Sequence, residues 1–194
     1  MKTTSIIFFS VFLLSVASGQ QDNNANHSRI ISTIDSTYNN EIVLIQEFTV
    51  NVPIDSVWSA FTTKEGWEAA FVPLAKIDFR INGTIKTSYD KNATIGDSTT
   101  IVNHIINYVP KKILTLQPEI ADNFPEFMKQ ESKSFYNVIY FKEIAGGKTK
   151  IESYGIGYKN NQKYLSLLKF FISGNEMSYL NLIKYLETGK GVKH

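Results

Sequence analysis

Few side chains of this sequence combine a chemically useful group with a place on a predicted strand. His104 lies in an alternating segment, and its imidazole could orient a ligand or accept a proton if Asn137 or Tyr108 lay within hydrogen-bond reach. The simpler interpretation, a half-buried histidine on a strand with no role in a site, stays open. Asp78 and Arg80 are two residues apart, so one strand face would hold them as an ion pair.

Most other chemistries lack the residues that they need. The chain contains no cysteine, which excludes thiol catalysis, disulfide bonds and Cys-ligated metal centres. Its three histidines lack the His-x-x-x-His spacing of a helical zinc site, so we expect no metal. The sequence also lacks a Gly-x-Ser-x-Gly nucleophile elbow and a glycine-rich phosphate loop. We therefore expect no cofactor and assign no catalytic residue.

The composition is that of one globular domain. Of 194 residues, 43% are hydrophobic and 20% are charged, which is enough apolar material for a single buried core. The formal net charge is +2, and the Lys and Arg residues do not form the clusters that nucleic-acid binding needs. We expect no nucleic-acid partner.

The N-terminal segment is typical of an export signal. Lys2 precedes an apolar run over 6–16, and the small residues of 17–19 offer a cleavage point. The run is shorter than the roughly 20 residues that span a bilayer, so we expect cleavage and no membrane anchor in the mature protein. These features predict a signal peptide over 1–19 and a secreted or periplasmic protein.

The mature chain is predicted to contain a single folded unit. A flexible polar lead is expected over 20–40, a domain over 41–188 and a short tail over 189–194. Three Asn-x-Ser/Thr sequons are present, and their use is open: Asn26, Asn82 and Asn92.

The hydrophobic pattern predicts the order strand, two short helices, six strands and one long helix. The first strand is predicted over 41–52, and a helix follows at Pro53. Strands of period two are predicted over 76–82, 84–90, 98–109, 112–118, 134–144 and 148–158. A helix over 161–187 follows, with a kink or break at Gly174, because glycine costs about 1 kcal/mol in a helix interior. Strands joined by tight turns are antiparallel, and only this helix is large enough to cover them.

Several short motifs along this order resemble one known family. The motifs are VNVPIDSVWSAFT over 50–62, DFRING over 78–83, IGD over 95–97 and YVPKKIL over 108–114. In order and spacing, the chain from about 42 to 187 resembles the START/SRPBCC superfamily, within the branch named after the activator of a heat-shock-chaperone ATPase. One departure is that Gly174 to Met177 stand where the family often has Gly-Trp.

The resemblance implies an α+β helix-grip fold. In that fold a curved antiparallel sheet of about six to seven strands wraps on a long C-terminal helix and encloses a cavity. The family pattern then turns one face of each central strand inward, where the small residues Ser153, Gly155 and Gly157 would leave room for a ligand. We expect the ligand to meet Trp58, His104, Ile106, Tyr108, Asn137, Ile139, Ser153, Gly155, Leu168, Phe171 and Ile172. A core filled by Leu168, Phe171 and Ile172 remains the alternative.

Three functions are compatible with these features. The first is an exported carrier or sensor that holds an apolar or amphipathic molecule, such as a lipid, between sheet and helix. The second is a cyclase- or hydrolase-like enzyme acting in the same cavity. The third is an interaction module, or a homodimer, that uses the opposite sheet face, where aromatic and aliphatic residues are predicted together: Tyr136, Val138, Tyr140, Tyr154, Ile156 and Tyr158.

Overall fold

The computed structural model describes residues 29–37, 40–122 and 124–192. The predicted signal peptide and the Asn26 sequon lie outside these residues. The strands are β1 (Ile30–Asp35), β2 (Glu41–Val50), β3 (Leu74–Ile77), β4 (Thr84–Ser88), β5 (Ile101–Val109), β6 (Ile113–Pro118), β7 (Tyr136–Ile144) and β8 (Lys148–Lys159). The helices are α1 (Ile54–Thr62), α2 (Lys64–Ala70), α3 (Glu126–Gln130) and α4 (Gln162–Thr188), with a 3-10 turn at Ser132–Ser134.

All eight strands form one antiparallel sheet in the order β1-β2-β8-β7-β6-β5-β4-β3. The predicted α+β helix-grip fold is confirmed, with a slightly larger strand count. The additional strand is β1, which comes from the segment predicted as a polar lead and pairs with β2 along its whole length. Alternate side chains of β2 are buried and face α4, as the period-two pattern predicts.

The helix α4 runs unbroken from Gln162 to Thr188, so the break predicted at Gly174 is wrong. The Asn161 side chain accepts hydrogen bonds from the first-turn amides, and Gly189 ends the helix in the left-handed conformation. The two ends of α4 are buried at Leu168 and Leu182 in two separate clusters. Packing at both ends outweighs the cost of about 1 kcal/mol that glycine adds in the middle.

The core therefore has two parts along α4. The first core cluster surrounds the C-terminal half of α4 and includes Phe48, Val57, Phe61, Ile105, Phe141 and Leu182. The second core cluster surrounds the N-terminal half and includes Ile42, Leu44, Met128, Phe135, Tyr164 and Leu168. Between Leu168 and Tyr179, α4 buries no side chain, although it crosses the middle of the fold there. This central stretch is where a site between helix and sheet can form.

Candidate functional site

A buried chain of hydrogen bonds joins α4 to the middle of the sheet. The Tyr179 hydroxyl donates to Ser153 Oγ over 2.9 Å, and Ser153 Oγ donates to Asn137 Oδ1 over 2.8 Å. Burial raises the pKa of Tyr179 above its ordinary value, so this phenol stays protonated at neutral pH. Asn137 and Ser153 both face α4, as the sequence predicts.

A second polar chain fastens the centre of α4 to the sheet edge. Asn175 donates to Gln46 Oε1 over 2.8 Å, Gln46 Nε2 donates to Ser32 Oγ over 3.0 Å, and the Ser32 hydroxyl donates to Glu176 over 2.7 Å. Gln46 is 1% exposed and has both ends of its amide paired. Together the two chains hold α4 in one position across the sheet with polar contacts instead of apolar ones.

The predicted inward face of β5 is wrong at His104 and Ile106. A β-bulge between Ile105 and Asn107 adds one residue to the strand and reverses its alternation. Ile105 is therefore the fully buried residue, while Tyr108, beyond the bulge, faces inward as predicted and packs on the first core cluster. Ile106 falls at the bulge and packs on neither cluster.

His104 lies on the convex side of the sheet. Its side chain is 40% exposed, and its Nε2 lies 2.6 Å from Glu119 Oε1. Neither Asn137 nor Tyr108, the partners expected for a role in proton transfer, is the residue that it contacts. His104 is thus an exposed polar group opposite the candidate site.

A second bulge corrects the prediction for β8. The register with β2 shifts between Gly155 and Tyr158, which turns the Tyr158 ring inward instead of outward. At Gly157, φ is +92°, and a Cβ there would lie 1.9 Å from the Ser134 carbonyl oxygen, so this glycine leaves no room for a ligand. Gly155 does face α4, but a Cβ on it would meet the Tyr158 ring at 3.2 Å.

The protein's own rings fill both ends of the predicted cavity. Trp58 packs edge-on against Phe141 at 5.4 Å, beside Ile139 in the first core cluster. At the other end, Tyr158 lies 5.3 Å from Phe135 and 6.4 Å from Phe171, measured between ring centroids. Burial raises the pKa of Tyr158 to about 12. Among the predicted helix residues, Leu168 is fully buried and Ile172 packs partly on the second core cluster.

The middle of α4 differs from its ends, because Gly174 is exposed and open space lies beside it. Phe171, Gly174 and Ser178 follow one stripe of the helix at steps of three and four residues. The Phe171 ring lies 6.4 Å from Phe124, in the segment before α3. Burial raises the pKa of the Tyr89 hydroxyl, and the neighbouring Ser178 side chain lowers it by less.

These two contacts are seven residues apart on α4, or about 10 Å. A Cβ built on Gly174, between them, meets no atom within 4 Å. Tyr89 is 63% exposed as a residue, although its hydroxyl lies among protein atoms next to Ser178, so much of its ring is open to solvent. We call this opening, with Phe124 and Phe171 on one side and Tyr89 and Ser178 on the other, the Gly174 window.

Three positions on the inward face of the sheet are only partly covered. Asn103 pairs with the buried Ile85 and so faces the helix side, and Asn137 pairs with Gly155 in the same orientation. Asn103, Asn137 and Gly155 all keep partial exposure, whereas their neighbours toward the first core cluster are buried. We call the window together with this floor of three residues the α4 groove.

Sequence reasoning missed Asn103, Tyr89 and Phe124. If the bulge in β5 were known, alternation from the buried Ile105 would place Asn103 on the same inward face. Tyr89 and Phe124 lie in connections between strands, and no periodic signal indicates that they approach α4.

Two surface depressions of the described residues lie away from the α4 groove. One has a volume of about 340 Å³ beside Arg29, Glu47 and Lys150, at the edge of β1 and β2. The other, of about 350 Å³, is next to Asn40 and Asn160. Both are open to solvent, and we assign no function to either. None of the described helices combines the length and apolar character needed to cross a bilayer.

The convex face of the sheet carries the predicted aromatic residues with one exception. Tyr140 and Tyr154 make an edge-on contact at 5.6 Å, and Val138 lies between Tyr154 and Thr115 in the register. Tyr158 is the exception, since the bulge in β8 turns it inward. The homodimer expected through this face stays a prediction.

The fold and the groove define the protein as a helix-grip domain in which a curved sheet holds α4. A family model described as "Activator of Hsp90 ATPase homolog 1-like protein" matches residues 51–187. The chain belongs to this family, and the resemblance inferred from its motifs is confirmed. This fold type is consistent with a ligand-binding or cyclase-like domain.

Solved structures show the same fold at low sequence identity. A conserved protein of unknown function, EF2215 from Enterococcus faecalis, is 15% identical at a TM-score of 0.60, covering 87% of this chain and 83% of that one. The Aha1 dimer from Colwellia psychrerythraea is 14% identical at 0.59, covering 77% and 98%. CalU16 from Micromonospora echinospora is 18% identical at 0.57, covering 84% of each chain. No curated protein matches the chain in sequence.

Proposed function

We propose that this protein is an exported carrier or sensor that holds a small apolar or amphipathic molecule in the α4 groove. The observation that carries the proposal is the set of partly exposed residues on the inward sheet face, Asn103, Asn137 and Gly155, together with the open space beside Gly174. Elsewhere the concave face is closed by aromatic rings, so the ligand is expected to be shorter than α4 and to occupy only its middle turns. Burial of apolar ligand surface there would contribute about 25 cal/mol per Å².

The lining suits an amphipathic molecule. Phe124, Phe171 and the Tyr89 ring offer apolar surface at the opening, while Asn103 and Asn137 offer hydrogen-bonding groups behind it. Ligand sites commonly combine such apolar walls with a few polar groups that fix orientation. Because polar chains fasten α4 on the β2 and β8 side of the groove, we expect the ligand to enter through the window without unfolding the helix.

A cyclase- or hydrolase-like function has less support. Such chemistry needs a group that accepts or donates a proton next to the substrate. His104 was the candidate, and it faces the convex side beside Glu119. The three floor residues of the α4 groove carry only amide groups or a glycine. The geometry therefore favours binding over turnover.

Binding can be tested by native mass spectrometry and by titration with the neutral dye Nile red. Gly174→Leu would place a side chain in the window, and we expect dye affinity to fall about tenfold. Ser173→Leu is the matched control, because it adds the same side chain one residue away on the exposed side of α4. Circular dichroism would check that both variants fold. Equal dye binding by the two variants would show that the window is not the entrance.

The exported state needs a separate test, because the signal peptide lies outside the described residues. We expect the mature protein to begin near residue 20 when it is recovered from outside the cytoplasm. Intact-mass measurement of the protein purified from its source gives this directly. A mass that retains residues 1–19 would contradict export by cleavage.

A further inference from the structure

We infer that, if the α4 groove binds a ligand as proposed above, that ligand is electrically neutral and carries a hydroxyl or carbonyl group at its polar end. Fatty acids and other anions would then be poor ligands. The inference depends on which polar groups border the groove and on what the charged groups of the surrounding elements already contact.

Every side chain that defines the groove is uncharged. The floor offers the carboxamides of Asn103 and Asn137, and the window adds the hydroxyls of Tyr89 and Ser178. Asn137 accepts from Ser153, so its oxygen is already engaged. The carboxamide of Asn103 makes no side-chain hydrogen bond to the rest of the described chain, although its position faces the helix side. It is a donor and an acceptor open to a ligand.

Charged groups near the two ends of α4 already form ion pairs with each other. Arg29 holds Glu187 at the β1 edge, with 2.7 Å between Nη2 and Oε1. Lys159 pairs with Glu131 beyond the second core cluster, where Glu131 also accepts from the Tyr164 hydroxyl. Both cations are paired, and neither lies among the residues that define the groove.

A carboxylate would therefore enter the groove without a counter-ion. Moving an unpaired charge from water into a poorly solvated site is strongly unfavourable, whereas a neutral hydroxyl or carbonyl needs only one or two hydrogen bonds. Asn103 supplies both a donor and an acceptor of the right type. Neutral amphipathic molecules with one such group are thus the expected class.

The test uses competition against Nile red by ligands that share one alkyl chain. We expect 1-dodecanol and methyl dodecanoate to displace the dye at pH 7.5, and dodecanoate to be at least about tenfold weaker, all below their aggregation concentrations. Displacement by dodecanoate at the same concentrations would overturn the inference while leaving the proposed function in place. Failure of the dye to bind at all would instead refute the proposed function.

A substitution gives a second, independent readout. Asn103→Arg places a cation on the floor, and we expect dodecanoate affinity to rise about tenfold without a gain for dodecanol. His104→Arg is the matched control, because it adds the same charge to the same strand on the convex face and can keep the contact with Glu119. If dodecanoate gains nothing from Asn103→Arg, or gains equally from both variants, Asn103 does not line the site and the inference falls.

Discussion

Gly157 is the position at which one added methyl group should most disturb the fold. Its φ is +92°, a conformation that L-residues with a side chain rarely adopt, and it lies in the bulge that turns Tyr158 inward. A Cβ there would lie 1.9 Å from the Ser134 carbonyl oxygen, against about 3.4 Å for an ordinary contact. Gly157→Ala therefore requires the 3-10 turn or β8 to move by about 1.5 Å.

Two costs add in this variant. The backbone conformation alone costs roughly 1–2 kcal/mol for a non-glycine residue, and overpacking in a close contact adds about 1–3 kcal/mol. Gly147 is the matched control, since its φ is +67° and a Cβ there meets nothing within 4 Å. Gly147→Ala should lose only the backbone part, about 1 kcal/mol. We expect Gly157→Ala to lose about 3 kcal/mol or more of unfolding free energy.

Urea unfolding followed by circular dichroism, at fixed pH and temperature, measures both variants directly. With thermal unfolding, each 1 kcal/mol corresponds to roughly 2–4 °C in a domain of this size. Equal losses for Gly157→Ala and Gly147→Ala would refute the close approach of β8 to Ser134, and with it the reason given for the inward Tyr158 ring.

Three further predictions concern polar contacts. The hydrogen bond from Arg29 holds the pKa of Glu187 below its ordinary 4.5, so the pair stabilises the fold above that pH and the stabilisation is lost as pH falls through the lowered value. Glu187→Gln should therefore cost about 1 kcal/mol in urea unfolding at pH 7, and a difference that persists unchanged in acid would contradict this. Tyr179→Phe should cost about 1 kcal/mol, and Ser153→Ala about 2 kcal/mol, because the latter removes the hydrogen bonds of Ser153 with both Tyr179 and Asn137; the reverse order would contradict the central position of Ser153 in that chain. His104→Ala should change stability by less than about 0.5 kcal/mol and leave Nile red binding unchanged, and a loss of binding would return His104 to the site.

The order of elements could be read from the sequence because each depends on local signals. The strand over 41–50 alternates, Asn161 caps α4, and Gly189 ends it. Asn82 is of a type that tolerates positive φ, and the structure has φ at 63° there, in the connection between β3 and β4. Asp78 and Arg80 likewise form the predicted ion pair, at 2.8 Å.

The site was only partly predictable from the sequence. A bulge adds one residue to a strand and so moves the side chains beyond it to the opposite face of the sheet. One extra residue in β5 exchanges His104 for Ile105 on the inner face, and one in β8 exchanges Gly157 for Tyr158. No periodic pattern of residues in the sequence marks the position of either bulge. Whether each forms depends on the register of the neighbouring strands and on close contacts such as that between Gly157 and Ser134.

The sequence by itself determined the helix-grip architecture, the antiparallel strands and the two caps of α4, because these follow from alternation and from the conformational preferences of single residues. Only the tertiary structure decided that aromatic rings close both ends of the space beneath α4 and that a window remains beside Gly174. Those outcomes depend on contacts between residues far apart in the chain, such as Phe124 with Phe171, and no local pattern encodes such a distance.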